Sequence, residues 1–148
     1  MKELTVGKTD LRDDFVSHKE FSPYYYEKNS QFELLQNSEK TYRFVMIGDS
    51  ITDHGEWNEL INRDDIINRG IGGDNTYGVL KRLDNLNPSL KKAFVMIGVN
   101  DVPIWKVNVA YDNYKKIVEL LIKKGIEPVI QSTLYMSYSV GGGESRWI

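Results

Sequence analysis

Short apolar runs alternate with amphipathic stretches along the chain from Tyr42 onwards. Such runs, bounded by glycine or polar residues, predict strands that are buried on both faces in a parallel sheet. Four strands are predicted, at Tyr42–Ile47, Asp65–Asn68, Ala93–Ile97 and Glu127–Thr133. The third run closely resembles the first.

Helices are predicted between these strands and before the first of them. The clearest is Ala110–Lys124, which has an apolar face at helical spacing and Gly125 as a C-terminal stop. The others are Pro23–Leu35, Glu56–Asn62 and Asn75–Leu86, the last with Asp74 as its N-cap. Strands that alternate with helices predict one α/β domain over residues 1–148, with an N-terminal arm and helix over 1–41 and the sheet core over 42–148.

Composition narrows the class of protein. The 148 residues carry a net charge of −2, with 41% hydrophobic and 27% charged residues, as in ordinary globular domains. No basic stripe suggests nucleic acid, and no apolar run is long enough to span a membrane, so neither partner is expected. The N-terminus lacks the apolar region of a signal peptide, so we expect a cytoplasmic chain unless a leader has been removed. The absence of cysteine excludes disulfides and a thiol nucleophile.

Aromatic residues cluster in the first predicted helix. Tyr24, Tyr25 and Tyr26 are consecutive, and such a cluster could form a platform for a carbohydrate ring. Packing of the arm onto the domain is the favoured interpretation, because aromatic side chains bury a large area wherever they land. On this interpretation Tyr25, Phe32 and Leu35 form the apolar stripe of the helix.

The residues that can do chemistry lie directly after the predicted strands. Gly48-Asp49-Ser50-Ile51-Thr52 follows the first strand and places Ser50 near a helix N-terminus, where backbone N–H groups favour a developing oxyanion. Alone, this sequence equally fits a turn that caps the next helix. Because ligands bind beyond the carboxyl ends of parallel strands, the position of Ser50 favours a functional role.

Two further loops follow the second and third strands. The loop over residues 68–76, NRGIGGDNT, offers free N–H donors but lacks the lysine of a P-loop, which makes nucleotide binding a poor interpretation. Gly98-Val99-Asn100-Asp101 places the amide of Asn100 at the third strand end, where it could donate to an oxyanion or form an Asx-turn.

Together, GDSIT, INRGIGGDNT and GVND resemble blocks I, II and III of the SGNH hydrolases, also called GDSL esterases. The resemblance runs from about Tyr42 to Thr133 and implies a flavodoxin-like, three-layer α/β/α sandwich around a parallel sheet. It implies that Ser50 is the nucleophile and that Ser50, Gly73 and Asn100 form the oxyanion hole, with Gly72 as an alternative to Gly73. Asp49 would hold the turn, and neither a metal nor a cofactor would be needed.

The sequence departs from this family at the general base. The family takes its base from a fifth block, Asp-x-x-His, which this sequence lacks; its histidines are His18 and His54. Neither is expected to reach Ser50, and both fit surface or capping roles better. We therefore expect a chain truncated before the last strand and helix of the fold. Its open sheet edge would expose apolar side chains near Val129, Leu134 and Tyr138 and promote self-association.

Three hypotheses about function follow. The first is an esterase of the bacterial acetylhydrolase-like branch, which hydrolyses small acyl esters such as acetyl esters through an acyl-Ser50 intermediate. The second is an impaired fragment or binding module that keeps the oxyanion pocket without turnover. The third, a flavodoxin-like or nucleotide-binding domain, leaves the coincidence of Ser50, Gly73 and Asn100 unexplained.

Overall fold

The computed structural model describes residues 21–101 and 107–132. The helices of this part are α1 (Pro23–Leu35), α2 (Ser50–Asp53), α3 (Trp57–Leu60), α4 (Thr76–Arg82), which continues into a 3-10 turn (Leu83–Asn85), and α5 (Val107–Lys123). The strands are β1 (Phe44–Gly48), β2 (Ile66–Gly70), β3 (Lys92–Met96) and β4 (Glu127–Ile130). The predicted order of strands and helices is confirmed, with bounds that move by a few residues.

The four strands form one parallel sheet in the order β2-β1-β3-β4. Gly48, the last residue of β1, pairs with Gly70 on one side and with Met96 on the other. The carboxyl ends of β1, β2 and β3 therefore lie side by side. This arrangement confirms the predicted α/β fold class with a flavodoxin-like parallel sheet.

The main core lies on one face of the sheet. Buried side chains of the strands, among them Val45, Ile47 and Val95, pack there against α4 and α5. On the opposite face, Asn68 Nδ2 donates to the carbonyl groups of α2, while Phe44 and Phe94 bring their ring centroids within 6.4 Å. Apolar residues alternate in β3 between buried and half-buried positions, so the two faces are covered unequally.

The start of α4 differs from the prediction. Its N-cap is Asn75, whose side chain accepts a hydrogen bond from the Gly78 N–H at 3.0 Å. Asp74 was the predicted cap, but its buried carboxylate pairs with Arg82 and so serves another purpose. The α-helix ends at Arg82 because the chain tightens into the 3-10 turn, short of the predicted end at Leu86.

Helix α1 packs onto the domain through two aromatic residues. Tyr25 and Phe32 are buried against Ile71, and the Tyr25 hydroxyl donates to the Gly78 carbonyl at 2.8 Å. The packing interpretation is therefore confirmed for these residues. It is wrong for Leu35, which is 48% exposed near the end of the helix.

Strand β4 lies at the margin of the described sheet. Near Val129, where exposed apolar side chains were expected, Ile130 is 50% exposed, whereas Val129 itself is half-buried. The predictions for Leu134 and Tyr138 lie outside the described residues. None of the helices in the described ranges combines the length and apolar character needed to cross a membrane.

Candidate active site

The three predicted site residues follow three adjacent strand ends. Ser50 begins α2 two residues after β1, Gly73 lies in the loop after β2, and Asn100 lies four residues after β3. Hydrogen bonds join these segments directly: the Ile71 N–H donates to the Gly48 carbonyl at 3.1 Å, and Asn100 Nδ2 donates to the Asp74 carbonyl at 2.8 Å. The fold thus brings the three loops together at one edge of the sheet.

Ser50 is the first residue of α2 and is partly exposed. The preceding Asp49 is 2% exposed, and its carboxylate accepts a hydrogen bond from the Ile51 N–H at 3.0 Å. Burial raises the pKa of Asp49, although this backbone hydrogen bond opposes the rise. Asp49 therefore holds the turn, as predicted. Within the described ranges, neither the hydroxyl nor the N–H of Ser50 has a hydrogen-bond partner.

Strand β2 supports α2 from below. Asn68 Nδ2 donates to the carbonyl oxygens of Thr52, Asp53 and Gly55 at 2.8, 3.0 and 3.1 Å. A Cβ atom at Gly70 would collide with the backbone of Asp53, so the close approach of β2 to α2 requires glycine there. These contacts fix the position of α2, and with it that of Ser50, relative to the sheet.

The glycine loop presents its two central N–H groups differently. The Gly72 N–H donates to Asp53 Oδ2 at 3.0 Å. Gly73 has a φ of 75°, a left-handed conformation that favours glycine, and it is exposed. The Gly73 N–H makes no hydrogen bond to the part of the chain that the structure describes.

Asn100 lies in the third loop, which follows β3. An asparagine amide carries two N–H donors, and one of them is used on the Asp74 carbonyl. The side chain is half-buried, and no hydrogen bond of the described residues uses its second N–H. The same loop contributes Asp101, whose carboxylate accepts from the N–H and hydroxyl of Thr76 at 3.0 and 2.7 Å. The third strand end is thus joined to both the glycine loop and α4.

Arg82 connects the loops beneath the site. Its guanidinium donates to Asp74 Oδ2 at 2.9 Å, to the Arg69 carbonyl at 2.6 Å and to the Gly48 carbonyl at 3.2 Å. The side chains of Arg82 and Asp74 are only 3% and 1% exposed. Burial raises the pKa of Asp74, and the Arg82 charge opposes that rise. The Arg82–Asp74 pair thus connects Gly48, the residue before Asp49, to the glycine loop.

The sequence interpretation missed Arg82, yet a signal was present. Val79 and Leu83 lie at helical spacing on an apolar face of the predicted helix Asn75–Leu86, and Arg82 is three residues after the first of them. A charged residue in an apolar stripe indicates a buried ion pair, because burial of a lone charge is too costly.

Of the two histidines, only His54 lies within the described residues. His54 is the C-cap of α2, where its backbone N–H donates to the Ser50 carbonyl, and its side chain is exposed. His18 lies outside the described residues. Over residues 21–101 and 107–132, no cluster of His, Asp or Glu is suited to hold a metal ion.

Several solved structures resemble this chain, among them the following two. One is a protein from Streptococcus pneumonia, provisionally described as a platelet activating factor, with a TM-score of 0.70 and 26% identity over 84% of this chain and 59% of that one. The other is a member of the lipolytic protein G-D-S-L family from Veillonella parvula, with a TM-score of 0.49 and 23% identity over 61% of this chain and 57% of that one. The chain thus spans less than two-thirds of either structure.

Sequence comparison bears directly on the family. No curated protein shows significant similarity to the chain. Residues 46–147, well over half of the sequence, match the GDSL-like lipase/acylhydrolase family. This match contains the Ser50, Gly73 and Asn100 loops. The chain therefore belongs to the GDSL-like lipase/acylhydrolase family, whose members are hydrolases.

Proposed function

We propose that this protein is a serine esterase for small acyl esters, with acetyl esters as the preferred class. The observation that carries the proposal is the set of unpaired donors in the adjoining loops that follow β1, β2 and β3. The N–H groups of Ser50 and Gly73 have no partner in the described ranges, and Asn100 uses only one of its two amide hydrogens. Unpaired donors beyond the carboxyl ends of the strands suit a ligand oxygen that develops negative charge.

The proposed reaction proceeds in two halves. The Ser50 hydroxyl attacks the ester carbonyl, and the carbonyl oxygen becomes an oxyanion that accepts hydrogen bonds from Ser50, Gly73 and Asn100. The alcohol leaves with a proton, and water then hydrolyses the acyl-Ser50 ester to release the acid. Each oxyanion donor lowers the barrier by roughly 2.7–4 kcal/mol.

Ser50 needs a base to accept its proton, and within the described ranges its hydroxyl is hydrogen-bonded to none. His54 is exposed at the C-cap of α2, and the sequence has no Asp-x-x-His. Because triad deletions leave a residual 10³–10⁴-fold catalysis from the remaining groups, roughly that level would be expected of an oxyanion hole without a base. This observation favours a second candidate function, in which the pocket binds an acid or ester without turnover.

Hydrolysis of p-nitrophenyl acetate separates the two candidates. The wild-type chain is compared with Ser50→Ala and with Ser30→Ala, an exposed serine of α1 that serves as the matched control. If a base serves Ser50, only Ser50→Ala should lose turnover, by about 10⁴-fold or more. Mass spectrometry should then find the acetyl group on the peptide that contains Ser50.

Equal rates in the wild type and in folded Ser50→Ala would contradict the esterase proposal. The binding function would then be tested by titration with acetate, followed through the amide resonances of Ser50 and Gly73. A saturable shift of both resonances supports the binding module, and unchanged resonances exclude it.

A further inference from the structure

Asp53 is a buried acid at the end of the same short helix that Ser50 begins. Its side chain is only 3% exposed, although its position on a short surface helix suggests a solvated residue. Its carboxylate has three partners: the Gly72 N–H at 3.0 Å, the Tyr24 hydroxyl at 2.7 Å and Lys28 Nζ at 2.9 Å. These partners come from the glycine loop and from α1, so one side chain joins both to α2.

The charge of Asp53 is maintained despite its burial. Burial favours the neutral acid, but the hydrogen bonds from Tyr24 and Lys28, the Lys28 charge and the Gly72 N–H outweigh it, so the pKa of Asp53 lies below its ordinary value. A carboxylate is purely an acceptor of hydrogen bonds. At neutral pH Asp53 therefore holds the Gly72 N–H in a charge-assisted hydrogen bond, which is stronger than one between neutral groups.

Gly73 lies between two anchored residues. On one side Asp53 holds the Gly72 N–H, and on the other Asn100 holds the Asp74 carbonyl. Gly73 itself takes the left-handed conformation, with no heavy atom near the position that a Cβ would occupy. Because the neighbouring residues are held, the direction of the Gly73 N–H is set by its surroundings.

Helix α1 takes part through Tyr24. A Cβ built on Gly72 would lie 3.4 Å from Tyr24 Cε1, so the tyrosine ring stands directly beside the glycine loop. The hydroxyl is held by Asp53, and the pKa of Tyr24 is raised to about 12, chiefly by this hydrogen bond. Tyr24 and Lys28, both in α1, thus hold the Asp53 carboxylate in place.

From this geometry we infer that Asp53 is a positioning residue of the oxyanion hole. By occupying the Gly72 N–H, it leaves Gly73 as the donor to substrate, and it makes that donor depend on the docking of α1. The inference rests on the proposed esterase function for its kinetic consequence. The selection of Gly73 over Gly72 can be tested without any turnover.

The experiment compares Asp53→Ala, Asp53→Asn and Tyr24→Phe with Asp112→Ala, an exposed aspartate of α5 that serves as the control. Amide hydrogen exchange is measured by NMR at Gly72 and Gly73. Exchange at Gly72 should accelerate by about tenfold or more in Asp53→Ala, because its N–H loses its acceptor. Asp53→Asn should restore part of the protection through its carbonyl oxygen, and exchange at Gly73 should be fast in every variant.

Kinetics give the second readout. With p-nitrophenyl acetate, kcat of Asp53→Ala should fall by about tenfold to a hundredfold with little change in KM. The reason is that a misdirected Gly73 N–H loses its hydrogen bond to the oxyanion, which matters mainly in the transition state. Asp53→Asn should recover part of that loss, and Asp112→Ala should match the wild type. If Asp53→Ala does not fold, Asp53→Asn and Tyr24→Phe carry the test with smaller changes in the same direction.

The outcomes distinguish this inference from the proposed function. If the wild type hydrolyses p-nitrophenyl acetate no faster than Ser50→Ala does, the esterase proposal fails. Acetate binding then replaces kcat as the readout. Acetate should then shift the Gly73 amide resonance but not that of Gly72, and Asp53→Ala should weaken its binding. Unchanged Gly72 exchange in Asp53→Ala, or a wild-type acetate response at Gly72 instead of Gly73, overturns the inference.

Discussion

The carboxyl ends of β1 and β2 and the margin formed by β4 and α5 are held by different kinds of interaction. At the strand ends, Asp74 and Arg82 form an almost fully buried ion pair that also reaches two backbone carbonyls. At the margin, α5 is held mainly by buried apolar residues such as Leu121, with one hydrogen bond each from Asn113 and Tyr114, while Ile130 remains half exposed. Directed hydrogen bonds fix atoms in place, whereas apolar burial is not directional. The candidate site therefore lies where directed hydrogen bonds between loops are concentrated.

Arg82→Met should have the largest effect on the strand-end region. Removal of the guanidinium leaves Asp74 as a buried charge without its partner, which costs about 3–5 kcal/mol in the free energy of unfolding. Urea denaturation measures this loss. Lys81→Met, one residue earlier and exposed, is the matched control and should change stability by less than about 0.5 kcal/mol.

The pH dependence of the same variant checks the cause. Without Arg82 to oppose it, burial raises the pKa of Asp74 further above its unfolded value, so the folded state binds the proton more tightly than the unfolded state. The loss in the free energy of unfolding should be complete above the pKa of Asp74 in the folded variant. It should shrink as pH falls towards the ordinary aspartate pKa of about 3.9. A penalty that is equally large near that pH would attribute the loss to packing rather than to charge.

The core side of α5 should give the next largest effect. Leu121 is fully buried, so Leu121→Ala should cost about 2–5 kcal/mol in the free energy of unfolding through lost burial and the cavity left behind. Its neighbour Ile122 is 60% exposed, so Ile122→Ala should change stability by less than about 0.5 kcal/mol. Both variants are measured by urea denaturation; similar losses at the two positions would contradict the orientation of α5.

The sheet and its helices could be predicted from sequence because their patterns are local. Apolar runs indicated the four strands of the described residues, and the helical spacing before Gly125 predicted α5 from its apolar face. The errors fell at element ends. Asp74 and Asn75 are both good N-caps, and only the tertiary partner Arg82 decides which of them is used.

The candidate site could be located from sequence, but its internal contacts could not. Ser50, Gly73 and Asn100 follow strands, and strand ends of a parallel sheet converge, so their neighbourhood was predictable. The contacts of Asp53 with Tyr24 and Gly72 join residues 29 and 19 positions apart. No periodicity encodes such contacts, because they depend on where α1 docks.

Ile130→Lys at the β4 margin should have the smallest effect on stability and the most specific effect on association. We propose that wild-type chains associate through this margin, since a strand edge with exposed apolar residues can pair with another chain. Light scattering of the wild type should then show a mass that rises with concentration, and the added charge of Ile130→Lys should reduce that rise. Its free energy of unfolding should change by less than about 0.5 kcal/mol, because Ile130 is 50% exposed. Leu34→Lys, at an 83% exposed position on α1, is the control for added charge. A wild-type chain that stays monomeric at every concentration, or equal effects of both lysines, would mean that the β4 margin is not an interface.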